Sequence, residues 1–127
     1  MITIQACLIG SCPSEWTKIG GKCFSPARKT HELTGGNDCN SNCLPIEEAC
    51  SDAGALLATK EETQSWLNNG GDRLGMEFGL TSTRNGQKHW FTRNNEDNGL
   101  WYAGCCQHNN RFFVCVKNLG TIEILFP

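Results

Sequence analysis

No run of about 18 apolar residues occurs anywhere in the chain, so no segment is expected to insert into a membrane as a helix. An excess of charge of either sign is also missing: Lys+Arg 11 stand against Asp+Glu 13, a formal net charge of -2. Such a balance makes no field that would gather nucleic acid or an anionic lipid surface, and neither is expected as a partner. Charged residues are only 19% of the chain, which points to turns and short strands instead of long solvated helices. No Asn-x-Ser/Thr acceptor is present, so glycosylation says nothing about compartment. The opening MITIQACLIG has no basic flank and too short an apolar run for a secretion signal; the expectation is a mature product or a domain of something longer.

Cysteine, by contrast, is abundant. Nine cysteines in 127 residues point to an oxidising compartment, because cytosolic proteins seldom keep so many thiols unless they bind metal or do redox chemistry. The chain is therefore expected to be secreted, or to be the extracellular part of a larger protein. The rival is a zinc site built from Cys39, Cys43, Cys105, Cys106 and His108, since thiolate and imidazole are the usual zinc ligands. That reading leaves Cys7, Cys12, Cys23, Cys50 and Cys115 without a role, and their wide spacing suits loop staples better. No bound metal is expected on this ground.

The length fits one domain with a single core. Gly20-Gly21 between two half-apolar runs in CPSEWTKIGGKCF is written like a hairpin, with Cys12 and Cys23 at its ends and close enough to bridge. From 25 to 44 the chain turns polar, with no helical or strand period, and is expected to be a loop ordered only if Cys39 and Cys43 tie it down. Pro45 suits a first helical turn, and Ile46, Ala49, Cys50 and Ala53 recur at helical spacing. A helix over 45–53, closed by Gly54 and turning Cys50 to the core, follows. Thr59-Lys60-Glu61-Glu62 is a capping box that starts a second helix running to about Leu67. Beyond Gly71, MEFGLTS, a turn at Asn85-Gly86, then QKHWFT, LWYAG and RFFVCVKN all read as strands. Two helices segregated from a run of antiparallel strands make an α+β fold. The tail TIEILFP is apolar and β-prone, either a further strand or a linker.

The order of these features resembles a C-type-lectin-like domain over about 12–118. The family's opening Cys-Pro-x-x-Trp hairpin is matched by Cys12-Pro13-Ser14-Glu15-Trp16 and Cys23-Phe24, and its cysteine-bearing helix by Cys50 ahead of Gly54-Ala55-Leu56-Leu57-Ala58. Its Trp-Ile-Gly-Leu signature corresponds to Glu77-Phe78-Gly79-Leu80, its Trp region to His89-Trp90-Phe91, and its last strand to Phe112-Phe113-Val114-Cys115. The resemblance implies a disulfide-stapled C-type-lectin-like fold with an N-terminal segment 1–11 and a tail 119–127, and it implies that Cys50 bonds Cys115. Cys106 stands where the family has a core cysteine whose usual partner is missing, so Cys39 and Cys43 are expected to pair with Cys105 and Cys106. Cys7 is left over, which implies an unpaired thiol or a disulfide-linked dimer.

Departures from the family carry the functional expectation. Sugar-binding members hold calcium in oxygen ligands from a Pro-containing loop and a Trp-Asn-Asp strand. Here Tyr102-Ala103 follow Trp101, no such loop triplet lies between Trp90 and Trp101, and only ten residues separate the two tryptophans. The oxygen-rich run Asn94-Asn95-Glu96-Asp97-Asn98 could grip a calcium ion, with Glu96 and Asp97 as the ligands to test, but a solvated turn is the preferred reading. The expected function is an extracellular recognition module that binds a protein or a glycan without calcium or other cofactor. Its surface is expected to include Arg84, Asn85, Arg93, the run 94–98, Trp101, His108 and Arg111. Alternatives on the same fold are a calcium-dependent lectin with an altered site and a venom-type or ice-binding effector. An enzyme is not expected: His31 and His89 have no serine or carboxylate constellation, and the cysteines beside His108 are expected in disulfides, where they cannot act as nucleophiles.

Overall fold

The computed structural model describes residues 3–8, 11–34, 43–83, 88–92, 111–119 and 121–126. The hairpin forms as its glycines require. Strands β2 (Thr17–Ile19) and β3 (Lys22–Phe24) pair antiparallel around Gly20, whose φ of 61° suits a residue without a Cβ. Cys12 is bonded to Cys23, the pair that closes this hairpin.

A second bridge joins Cys50 to Cys115, the pairing the family resemblance implies. Cys50 lies on helix α2 (Leu44–Asp52), which has Pro45 in its first turn and turns Ile46 and Cys50 inward. Gly54, at φ 69°, closes it with an N–H donated to the Ser51 carbonyl. Helix α3 (Lys60–Asn68) begins at the full capping box: the Thr59 hydroxyl accepts from the Glu62 N–H at 3.2 Å, and the Glu62 carboxylate accepts from the Thr59 N–H at 2.9 Å.

Three features depart from the sequence reading. The polar stretch after Ser25 is not wholly a loop: it holds β4 (Arg28–Lys29) and a third helix, α1 (Thr30–Thr34). Five residues give no period to detect, so this helix owes its existence to tertiary packing. Thr30 is fully buried at its start, and Leu33 packs on the core. RFFVCVKN, expected as one strand, is two: β8 (Arg111–Phe113) and β9 (Cys115–Asn118), which belong to different sheets. Val114 is the crossing point, its carbonyl accepting from the Ala58 N–H at 2.9 Å. Finally, the sheets are not purely antiparallel, because β6 (Phe78–Ser82) and β8 run parallel. A parallel neighbour requires the chain to return to the end where it started, and β7 (Lys88–Thr92), antiparallel to β6, brings it back there before β8 begins.

One sheet has the order β2-β3-β9-β5, with β5 at Leu56–Leu57, and another has β4-β8-β6-β7, with β7 at Lys88–Thr92. The two terminal strands, β1 (Thr3–Leu8) and β10 (Thr121–Phe126), pair antiparallel as a two-stranded sheet, so the tail is a strand. Leu119, assigned to the tail by sequence, is buried, and its N–H reaches the Gly21 carbonyl at 2.8 Å. The core lies on both sides of 111–116, where every residue is buried. Side chains alternate across an extended chain: Phe113 and Cys115 join Ile46, Cys50, Leu57 and Leu80, while Phe112, Val114 and Val116 join Phe24, Ala58 and Trp66. The result is an α+β fold with antiparallel-rich sheets, helices and two disulfides among the described residues.

Candidate recognition site

Arg84, Asn85, Arg93, Asn94, Asn95, Glu96, Asp97, Asn98, Trp101 and His108 lie outside the described residues, as does the turn expected at Asn85-Gly86. The strand ends that flank them are described, and they divide the expected surface. Residues 84–87 join β6 to β7 at the Ser82 and Lys88 end. The segment 93–110 leaves from Thr92 and returns at Arg111, and both of these are partners of Phe78 at the opposite end. At about 3.3 Å per residue the two ends of β6 stand roughly 13 Å apart. Thr92 and Arg111, on either side of Phe78, are about two strand spacings or ~10 Å apart. The described strand ends that flank 93–110 thus lie at one end of the sheet, and those that flank 84–87 at the other.

Arg111 corrects a further expectation. It is buried, at 3% exposure, with its guanidinium 4.4 Å from the centre of the Phe78 ring. Burial lowers its pKa from the ordinary guanidinium range to about 10, since a desolvated cation is disfavoured. Its planar cation stacks on the ring below it, which makes it part of the platform and not an exposed ligand contact. Among the cysteines of the zinc alternative, Cys43 is held in a disulfide and offers no thiolate, while Cys39, Cys105 and Cys106 lie outside the described residues. Among the described residues no group of three or more His, Cys, Asp or Glu could hold a metal ion. The Nδ1 of His31 has no hydrogen-bond partner there.

The same end of the sheet carries a structure that the sequence reading missed. The turn 72–77 runs directly into Phe78. An Asp72 carboxylate oxygen accepts from the Leu74 N–H at 2.9 Å. Arg73 donates from Nε to the Met76 carbonyl at 3.3 Å and from Nη2 to the Glu77 carbonyl at 2.6 Å, and its guanidinium lies 5.2 Å from the Phe112 ring centre. A Cβ on Gly71 would overlap the Trp66 ring, and Gly75 takes φ 73°. Between these supports Leu74 is held at φ 58° with 38% of its surface exposed. For a residue with a Cβ that backbone conformation costs about 1–2 kcal/mol. The glycines at 70, 71 and 75 around an Asp are turn chemistry, and they were the available signal.

Elsewhere, a cavity of about 320 Å³ is lined by Lys22, Leu56, Glu62, Val116, Lys117 and Asn118. Its cations are already engaged: Lys22 with Glu62 at 2.7 Å, and Lys117 with the Ala53 carbonyl at 3.0 Å and 5.2 Å from the Trp16 ring centre. They read as fastenings between elements. No helix among the described residues is long and apolar enough to cross a membrane. No protein-family model matches the chain, and no curated protein matches it.

Proposed function

We propose that the chain is an extracellular C-type-lectin-like domain whose role is recognition, binding a protein or a glycan without calcium through the segment 93–110. The observation that carries the reading is where the strands on either side of that segment end. The residues on either side of it, Thr92 and Arg111, both pair with Phe78 at one end of the β4-β8-β6-β7 sheet, and β8 continues through the buried stretch 111–116 into β9, whose Cys115 is bonded to Cys50 of α2. Recognition residues on a segment held by a rigid scaffold are a common way of building a binding surface. The disulfides support an oxidising compartment, and the order of hairpin, helices and core strands supports the family resemblance.

The test is binding of the purified chain to a glycan array and to a display of extracellular proteins, with and without EDTA. Binding retained in EDTA, and lost on Arg93→Ala or on Glu96→Ala with Asp97→Ala, is the expected result. Binding abolished by EDTA and restored by calcium would move the reading to a calcium-dependent lectin with an altered site at Glu96 and Asp97. Binding that ignores these substitutions would remove the segment from the site.

A further inference from the structure

We infer that the turn 72–77 belongs to the ligand-contacting surface, and that Leu74 is an apolar contact which inserts into a protein partner. The inference rests on the recognition reading above and adds to it a second element and a class of ligand. Its first support is position. The turn leads into Phe78, the residue flanked by Thr92 and Arg111, so it stands at the sheet end from which the segment 93–110 departs and to which it returns. Its second support is construction. Asp72 and Arg73 bond the backbone on either side of Leu74, Gly71 lets the chain pass against the Trp66 ring, and Gly75 takes a left-handed φ of 73°. The fixed residue keeps an unfavourable φ of 58° and leaves a large aliphatic side chain 38% exposed.

Those two properties oppose stability, and nothing in the turn's internal bonding needs a leucine. The Asp72 carboxylate caps a backbone N–H, and Arg73 grips backbone carbonyls. Asparagine or glycine would adopt the same backbone more cheaply. Strain kept under an exposed aliphatic side chain, where a cheaper polar or side-chain-free residue would serve, points to function. The side chain then names the ligand class. Sugar rings are gripped by flat aromatic faces and hydrogen-bonding groups, whereas an aliphatic tip gains by entering an apolar pocket on a protein.

The experiment uses a phage-displayed random-peptide library selected against the full chain, with Kd measured for each selected peptide. Leu74→Gly keeps the left-handed backbone and removes the side chain; its melting temperature should stay level or rise by about 2–5 °C. A class of peptides is expected to lose at least about tenfold in affinity on Leu74→Gly and on Leu74→Asp. The same peptides should be unchanged by Leu56→Asp, a leucine at 59% exposure on β5. Failure to select any peptide, retention of affinity in both Leu74 variants, or equal loss on Leu56→Asp would overturn the inference. Loss on Arg93→Ala without loss on the Leu74 variants overturns it and leaves the recognition reading standing. Loss on the Leu74 variants alone upholds the turn as a contact and removes 93–110 from the site.

Discussion

Glu15 and Leu74 are the described non-glycine residues in the left-handed backbone region, at φ 72° and 58°, and their contexts differ. Glu15 is exposed inside a turn closed by the Trp16 N–H on the Pro13 carbonyl at 3.0 Å. Replacing it with glycine should remove the steric penalty and add part of it back as unfolded-chain entropy, a net gain of about 0.5–1 kcal/mol in urea unfolding. Arg111 is the opposite kind of residue, buried where the sequence suggested exposure. Arg111→Ala removes its contact with Phe78 and should cost about 2–4 kcal/mol. Arg111→Met fills similar space without a desolvated charge and should stay within about 1 kcal/mol of wild type. The pH dependence follows from the lowered pKa. Because folding disfavours the charged form, the penalty is present at every pH below about 10 and is relieved as pH rises from there toward the ordinary guanidinium range. Wild type should therefore gain on Arg111→Met as pH climbs above 10, measured by urea unfolding of both proteins.

At the scale of elements, Glu62 does two jobs: one carboxylate oxygen caps α3 and the other accepts from Lys22 of β3. The side chain of Lys22 is 44% exposed and that of Glu62 only 12%, so solvent weakens the ion pair and the cap should dominate. Glu62→Gln, which can still accept from the Thr59 N–H, should cost less than about 0.5 kcal/mol. Thr59→Ala should cost about 1 kcal/mol and Glu62→Ala about 1–2 kcal/mol. Equal losses for Glu62→Gln and Glu62→Ala in chemical denaturation would show that the ion pair matters more than the cap. This helix was legible in sequence because a capping box is local: four adjacent residues contain the whole signal. The same holds for Gly20 in the hairpin and for Pro45 and Gly54 bounding α2. Elements of two to five residues such as β4, β5 and α1 were not legible, since β4 and β5 form only where Phe112, Phe113, Cys115 and Val116 offer edges, and α1 where Thr30 and Leu33 meet the core. The split of RFFVCVKN was hidden for a related reason: a chain buried on both faces shows no polar alternation to mark where it changes sheets. For the candidate site, the residue types in 93–108 could be read, but not which strand ends hold them. The parallel pairing of β6 with β8 joins strands distant in sequence, which no local pattern encodes.

For the whole molecule, the staples act on loops of different size. Cys12–Cys23 spans a sequence separation of 11, and Cys50–Cys115 spans 65. Loop-closure entropy assigns about 3 kcal/mol to the shorter and about 4 kcal/mol to the longer. Burial widens the gap. Cys50 and Cys115 sit in the cluster beneath α2 with Ile46, Leu57, Leu80 and Phe113, whereas Cys12 is only half-buried at the hairpin. Cys12→Ala with Cys23→Ala should accordingly leave a protein that unfolds in one cooperative step with its core intact. Cys50→Ala with Cys115→Ala should cost more than the entropy alone, because the lost sulfurs leave space between α2 and β9. The same difference sets the order of reduction. A thiol reductant must reach a sulfur before it can exchange, so dithiothreitol under native conditions should open Cys12–Cys23 first. Opening of Cys50–Cys115 should follow only with loss of fold, seen by alkylation and mass spectrometry alongside near-ultraviolet circular dichroism. The reverse order would mean that α2 and β9 separate more readily than the hairpin opens. The platform beneath Phe78 would then be too soft to hold the segment 93–110 and the turn 72–77 in register for a ligand.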